Sequence, residues 1–386
     1  MRHWSRSLTV LMTLAGLCPA HAGAPAEGPA PKLAGEFPPP EAQGGWKSLL
    51  PESGPPDAAA RDAIRSRAGI DWDKLARAWE YNAEAPGNTG FLVIRHGLIV
   101  GEWYRGGDRK SDYNIYSSSK AYTSTAFGLI LSDFGAATTP SGKPLALDTE
   151  VCNAEWLPES LPLPDPRKAR ATVRHFLNMA SGVGPEPVPT KRPFEYAFGL
   201  AEGSPFARLK GEPGQVFQYS NAGVAHLVVL FHRATGVDLF PFLKERLFDP
   251  IGIAQIRWQA LGGIDGIGPF SQGYSGIFTN PREHARFCQL ALHRGDWAGR
   301  RIVPAAYYDF AWKGSPANPT YGAQWWVHPR WKQAPPDLVM TSGRNHNDGF
   351  VLPSRDLIFV RLGDGDRFPK DFEDQLVARV LASIVD

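Results

Sequence analysis

Residues 116–135, Tyr-Ser-Ser-Ser-Lys-Ala-Tyr-Thr-Ser-Thr-Ala-Phe-Gly-Leu-Ile-Leu-Ser-Asp-Phe-Gly, open on a cluster of hydroxyls and close on glycine, with an apolar-periodic run between. Serines ahead of such a run can cap a helix N-terminus, so the pattern predicts a helix with Ser117 at its first turn and Lys120 on the same face. A lysine is out of place there. The helix dipole opposes a cation in the first turn and lowers its pKa, which brings a neutral amine beside a hydroxyl. That pair suits an activated serine nucleophile, and the exposed first-turn amides suit an oxyanion. Taken alone the spacing is weak: 22 Ser and 13 Lys in 386 positions put the chance expectation of S-x-x-K at about 0.7 copies.

A second element changes the balance. Within Gly211–Asn221 (GEPGQVFQYSN), Tyr219-Ser220-Asn221 is the only Y-x-N of the chain. A phenol near the lysine amine can share its proton, acting as base toward serine and then as acid toward a leaving group. Asn221 can hold Lys120 by a hydrogen bond and orient a substrate carbonyl.

Moving outward, a helical stretch near Arg61–Asn82 precedes two β-rich runs, Phe91–Arg95 and Leu98–Tyr104, parted by His96-Gly97 as in a tight hairpin. The far end mirrors this with Gly349–Leu352, a Pro353-Ser354-Arg355 turn, Asp356–Leu362 and a closing amphipathic helix over Lys370–Val385. Between them, Ala222–Thr235 stops at Gly236, and Pro281–Gly295 starts on proline and ends on glycine, both helix signatures. The fold class read from this is α/β in the α+β sense. An antiparallel sheet is assembled from both chain ends (about 58–115 and 320–386) and flanked by helices, with a mainly helical part (about 116–319) inserted.

The N-terminus reads differently. Arg2 and Arg6, an apolar run from Leu8 to Leu17 and Ala20-His21-Ala22 form a signal-peptide pattern over residues 1–22, with a run too short to span a bilayer. Residues 23–57, crowded with Pro and Gly, read as an extended linker or loosely docked arm anchored by Trp46 and Leu49-Leu50; the body of the chain follows over 58–386. Export to the periplasm or the exterior is the expectation. The 41 Lys+Arg and 39 Asp+Glu leave a net charge of +2, which falls to zero without Arg2 and Arg6, so nothing favours nucleic acid. With no C-x-x-C or H-E-x-x-H, no metal site is expected; Cys152 and Cys288 read as buried free thiols. His226, His232 and His284 read as helical histidines without a catalytic part, and Trp325-Trp326 as core more readily than as a substrate pocket. No serine sits in G-x-S-x-G, which excludes a nucleophile elbow.

Ser117-x-x-Lys120, Tyr219-x-Asn221 and the phrase Thr172–Val183 (TVRHFLNMASGV) together resemble the serine β-lactamase-related family of class C β-lactamases, D,D-peptidases, certain esterases and aminohexanoate-oligomer amidases. The similarity runs from about Gly90 to Leu362 and takes in Leu247–Gly252 (LFDPIG) and Tyr321–Trp326 (YGAQWW). It implies a β-lactamase/transpeptidase-like fold, an α/β sandwich plus an all-α part with the site between. It also implies Ser117 as nucleophile, Lys120 as its base, Tyr219 as proton shuttle, Asn221 as a positioning residue, and no cofactor. The family's third element, Lys-Thr-Gly or His-x-Gly, is matched in place by Thr341-Ser342-Gly343, whose first residue is no cation. Arg344 or His346 is left to supply that charge, and Ser342, Gly343 and His346 are the candidates for substrate binding. In relatives this cation attracts a substrate carboxylate, so its displacement favours a small-molecule ester or small amide as substrate. A β-lactamase or D,D-peptidase, and a non-catalytic envelope binding protein keeping the fold, are the alternatives.

Overall fold

The computed structural model describes residues 36–385, so the signal-peptide reading of residues 1–22 lies outside the described residues. Its centre is a seven-stranded antiparallel sheet. The strands are β1 (Thr89–Arg95), β2 (Leu98–Arg105), β3 (Tyr321–Gly322), β4 (Trp325–Val327), β5 (Val339–Thr341), β6 (Asp348–Leu352) and β7 (Leu357–Gly363), in the spatial order β3-β4-β5-β6-β7-β1-β2. Both chain ends therefore meet at the β7–β1 pair, from Thr89↔Gly363 to Arg95↔Leu357. The β1–β2 turn works because His96 and Gly97 both take positive φ, 54° and 75°, the geometry that matches strand twist.

Each central strand is buried on both faces, which explains its continuous apolar sequence. On one face lie α1 (Ala58–Ala68), α2 (Trp72–Glu84) and α6 (Phe372–Ala382), packing Leu75, Leu376 and Val380 onto Phe91, Phe350 and Phe359. Each such side chain contributes about 1.5–3 kcal/mol on burial. The single helix expected near Arg61–Asn82 is two, because Gly69 ends α1 in the left-handed region and Asp71 caps α2.

The region between the two ends holds α3 (Ser119–Ile130), α4 (Asn221–Thr235, capped by Ser220 and ended by Gly236) and α5 (Pro281–Leu292, capped by Asn280), with a three-stranded sheet of Tyr113–Asn114, Ile277–Thr279 and Ile256–Trp258. Every residue of α5 is buried, its charged ones included, because the N-terminal arm covers it. Arg286 donates to the carbonyls of Pro38 and Pro39, and the indole of Trp46 donates to the Arg282 carbonyl at 3.2 Å. The same arm pairs with the outer side of β2 (Ile99 N–H to Lys47 O, 2.9 Å; Leu49 N–H to Ile99 O, 3.0 Å), satisfying an otherwise open sheet edge. Cys152 and Cys288 are both buried and unpaired.

Candidate active site

Ser117 sits in a 3₁₀ turn, Tyr116–Ser118, that runs directly into α3. The turn is held under tension by its backbone: Tyr116 has φ 46°, and its N–H is fixed by the Asn114 side chain at 2.9 Å. The neighbouring serines do not cap the helix as expected. Ser118 Oγ donates to the Asn347 carbonyl at 2.6 Å, and Ser119 Oγ accepts from the Ile277 N–H at 3.2 Å. Their hydroxyls instead tie the nucleophile turn to β6 and to the small sheet, so the turn's position is set by tertiary contacts.

Lys120 is 1 % exposed, and its Nζ lies 2.9 Å from Ser117 Oγ and 2.7 Å from the Tyr274 carbonyl oxygen. Burial drives its pKa well below the ordinary lysine value. The expected cause was the helix dipole; the dominant cause is desolvation, with no carboxylate among the described residues paired to the ammonium. Tyr219 completes the group. Its hydroxyl is hydrogen-bonded to Ser117, its ring lies 4.8 Å from the Lys120 ammonium, and burial pushes its pKa up to about 12, an effect the Ser117 bond reduces. At neutral pH Tyr219 thus keeps its proton.

Asn221 is the first residue of α4, close to the group in sequence, but it does not hold Lys120. Its Oδ1 is buried without a partner, and the Tyr274 carbonyl makes the contact expected of it. Nothing in the sequence marks Tyr274, because the atom that matters is a backbone oxygen.

Gly343 is brought against the nucleophile turn: a Cβ there would stand 2.1 Å from the Ile115 carbonyl oxygen, so only glycine allows this approach. Its N–H donates to Asp348 Oδ1 at 3.3 Å, and the Ser342 side chain bonds the same carboxyl. Asp348 is buried, and desolvation together with the nearby Glu373 raises its pKa to about 7. His346 is turned elsewhere. Its Nδ1 meets Glu373 at 2.6 Å and Asp348 at 3.9 Å, and its ring packs on Phe368 and Phe372. Burial lowers its pKa, but the Glu373 bond and the Asp348 charge outweigh that and raise it. Arg344 is the exposed cation at this hairpin, its guanidinium 5.9 Å from the Tyr116 ring. The position the family gives to a cation is filled by Thr341, whose hydroxyl joins a buried chain: Gly349 N–H at 3.1 Å, His284 Nε2 at 3.0 Å, and from His284 Nδ1 to the Tyr122 hydroxyl at 2.8 Å. Burial lowers the His284 pKa to about 3 and keeps the ring neutral.

His346, Asp348 and Glu373 offer ligand atoms within 4.8 Å of one another and are the residues that could hold a cation. They already compensate one another, and the Arg361 guanidinium adds positive charge beside Asp348. A cavity of about 570 Å³ is lined by Trp326, Trp331, Met340, Ser342 and Glu373, and Trp326 links it to Tyr219. Trp326 stacks on Tyr219 with ring centroids 6.0 Å apart, so it is a wall of this cavity, whereas Trp325 is core and donates its indole N–H to the Tyr307 hydroxyl.

A serine, a buried lysine and a tyrosine are thus brought together where α3 and α4 begin. The chain belongs to the beta-lactamase family, whose model matches residues 82–383, from within α2 to just past α6. That family consists in the main of serine hydrolases. Solved structures with the same fold include EstCE1, a hydrolase with promiscuous acyltransferase activity (17% identity, TM-score 0.61, covering 80% of this chain and 99% of that one). A penicillin-binding protein homologue from Caulobacter crescentus is similar as well (16%, TM-score 0.61, 81% and 97%). So is a beta-lactamase from Mycobacterium bovis (19%, TM-score 0.56, 80% and 100%). No curated protein sequence matches the chain. The β-lactamase/transpeptidase-like fold implied by the motifs is the fold found.

Proposed function

We propose that the protein hydrolyses a carboxylic ester or small amide through an acyl-enzyme on Ser117. The observation that carries this reading is Lys120, a buried amine 2.9 Å from Ser117 Oγ whose charged form is disfavoured by burial. The neutral amine accepts the Ser117 proton as Oγ attacks the carbonyl carbon, and Tyr219, which holds its proton at neutral pH, donates to the leaving oxygen or nitrogen. The Ser117 amide and an amide of the Ser342–Arg344 turn are the donors for the tetrahedral oxyanion. The Lys120 ammonium passes its proton to the Tyr219 phenolate, which restores both groups; water then attacks the acyl group as Lys120 takes its proton, and Ser117 Oγ leaves with a proton returned to it as the acid is released. The cavity with Trp326, Trp331 and Met340 in its wall suits an apolar group of the substrate.

The exposed Arg344 favours a second reading, a β-lactamase or D,D-peptidase whose substrate carboxylate it would attract. Export, periplasmic or secreted, is proposed on the signal-peptide pattern of residues 1–22; N-terminal sequencing of protein from a culture tests it. The decisive test of the main reading is a fluorophosphonate probe followed by peptide mass analysis. A single adduct on Ser117, absent from Ser117→Ala together with ester turnover, is expected. A failure to label Ser117, or turnover persisting in Ser117→Ala, overturns it; an adduct from penicillin with no ester turnover selects the second reading.

A further inference from the structure

At the β2 edge of the sheet, opposite the β3–β5 edge that carries Ser342 and Gly343, a groove of about 1330 Å³ runs between the arm and the α2–β2 surface. Three half-buried indoles line it. Trp79 and Trp103 lie parallel within 5° with centroids 6.1 Å apart, and Trp72 leans on Trp103 at 6.0 Å. The Trp72 Nε1–H is buried behind the groove wall and has no hydrogen-bond partner among the described residues. Deeper in, Arg282 and Glu102 satisfy each other with two bonds of 2.7 Å. Toward solvent, Glu52, Glu80, Arg109 and Lys110 line the groove exposed, and none of the four is in an ion pair among the described residues.

This combination points to one chemistry. Indole faces carry negative charge density that attracts weakly positive C–H groups, the surface a pyranose ring presents on its apolar face. Carboxylates and guanidinium groups accept from and donate to neighbouring hydroxyls. The volume exceeds the range of about 300–1,000 Å³ usual for a single small ligand, so several linked rings fit it better than one. A proline-rich peptide needs aromatic rings standing apart to seat its rings between them, whereas Trp79 and Trp103 are closed on each other. We propose that this groove binds a saccharide chain, with sugar faces on Trp79 and Trp72 and hydroxyls on Glu80 and Arg109. The site is separate from Ser117 and its occupancy does not depend on the hydrolytic reading.

The test titrates the full chain with the β-1,4-linked hexamer of N-acetylglucosamine and, separately, the β-1,4-linked hexamer of glucose, following tryptophan fluorescence and binding heat. Saturable binding of at least one hexamer is expected, and which one binds separates an amino-sugar polymer from a plain glucan as the source. Trp79→Ala is expected to lower affinity about tenfold, the effect of one lost aromatic contact. Glu80→Gln, at an exposed position that leaves the tryptophan stack intact, is expected to lower it severalfold, with hydrolysis of a small ester unchanged in both variants. Absence of saturable binding at millimolar sugar, wild-type affinity in Glu80→Gln and Trp79→Ala alike, or saturation by decaproline in place of either sugar overturns the proposal.

Discussion

Lys120 and the His346–Asp348–Glu373 corner lie on two sides of the Ser117 turn and handle buried charge in opposite ways. At Lys120 a buried amine meets a hydroxyl and a carbonyl and no carboxylate among the described residues. At the corner the charges are partly paired: His346 meets Glu373 at 2.6 Å, and Asp348 accepts from Gly343 beside His346, although desolvation and Glu373 still raise its pKa to about 7. An uncompensated buried cation sheds its proton, which creates a base; a compensated cluster stays put and fixes what it touches. On the function proposed above, the first region serves proton transfer. The second holds the Ser342–Gly343 backbone against the nucleophile turn.

Substitutions separate the two regions. Lys120→Ala removes the proposed base and is expected to slow acylation by roughly 10³-fold, the middle of the range for general-base catalysis, while the melting temperature stays level or rises; stopped-flow acylation by an aryl ester measures it. Tyr219→Phe removes only the donor to the leaving group, so a loss of about 10²-fold is expected, larger for amides than for activated esters whose leaving groups need no proton. Gly343→Ala places a Cβ 2.1 Å from the Ile115 carbonyl oxygen. The strand must retreat, with about 1–3 kcal/mol lost in denaturant unfolding and a fall in kcat rather than a rise in KM. Asp348→Asn should have the smallest effect and shows in pH dependence. The folded protein keeps the Asp348 proton up to about pH 7, whereas the unfolded chain releases it near the ordinary value of 3.8. Stability therefore falls as pH rises through that interval, and the raised pKa of His346 acts in the same direction. The variant should show a shallower decline of melting temperature between about pH 4 and 7 than the wild type.

Much of the fold was legible because it is local. The hairpin at His96-Gly97, the strand–turn–strand over residues 349–362 and the caps of α4 and α5 are written in adjacent residues, and their pairing follows from apolar runs that need two covered faces. Ser117 and Lys120 were legible for the same reason, three residues apart on one turn. The third-motif side was not. His346 is drawn to Glu373, 27 residues on, by a contact no spacing encodes, and the Thr341–His284–Tyr122 chain joins three segments that meet only in the folded molecule. Asp348 has no part in the sequence reading; its burial beneath Gly343 is a tertiary fact. The expectation that Asn221 holds Lys120 failed because a backbone carbonyl, that of Tyr274, does so.

The account rests on Lys120 being an amine at working pH. The most direct measurement is the pH dependence of acylation by an activated aryl ester in the wild type and in Lys120→Ala. Because the deprotonated amine is the base, the rate should rise with pH as Lys120 loses its proton, with an inflection well below 10.5, and this limb should vanish in the variant. An inflection near 10.5, or the same limb persisting in Lys120→Ala, would contradict it.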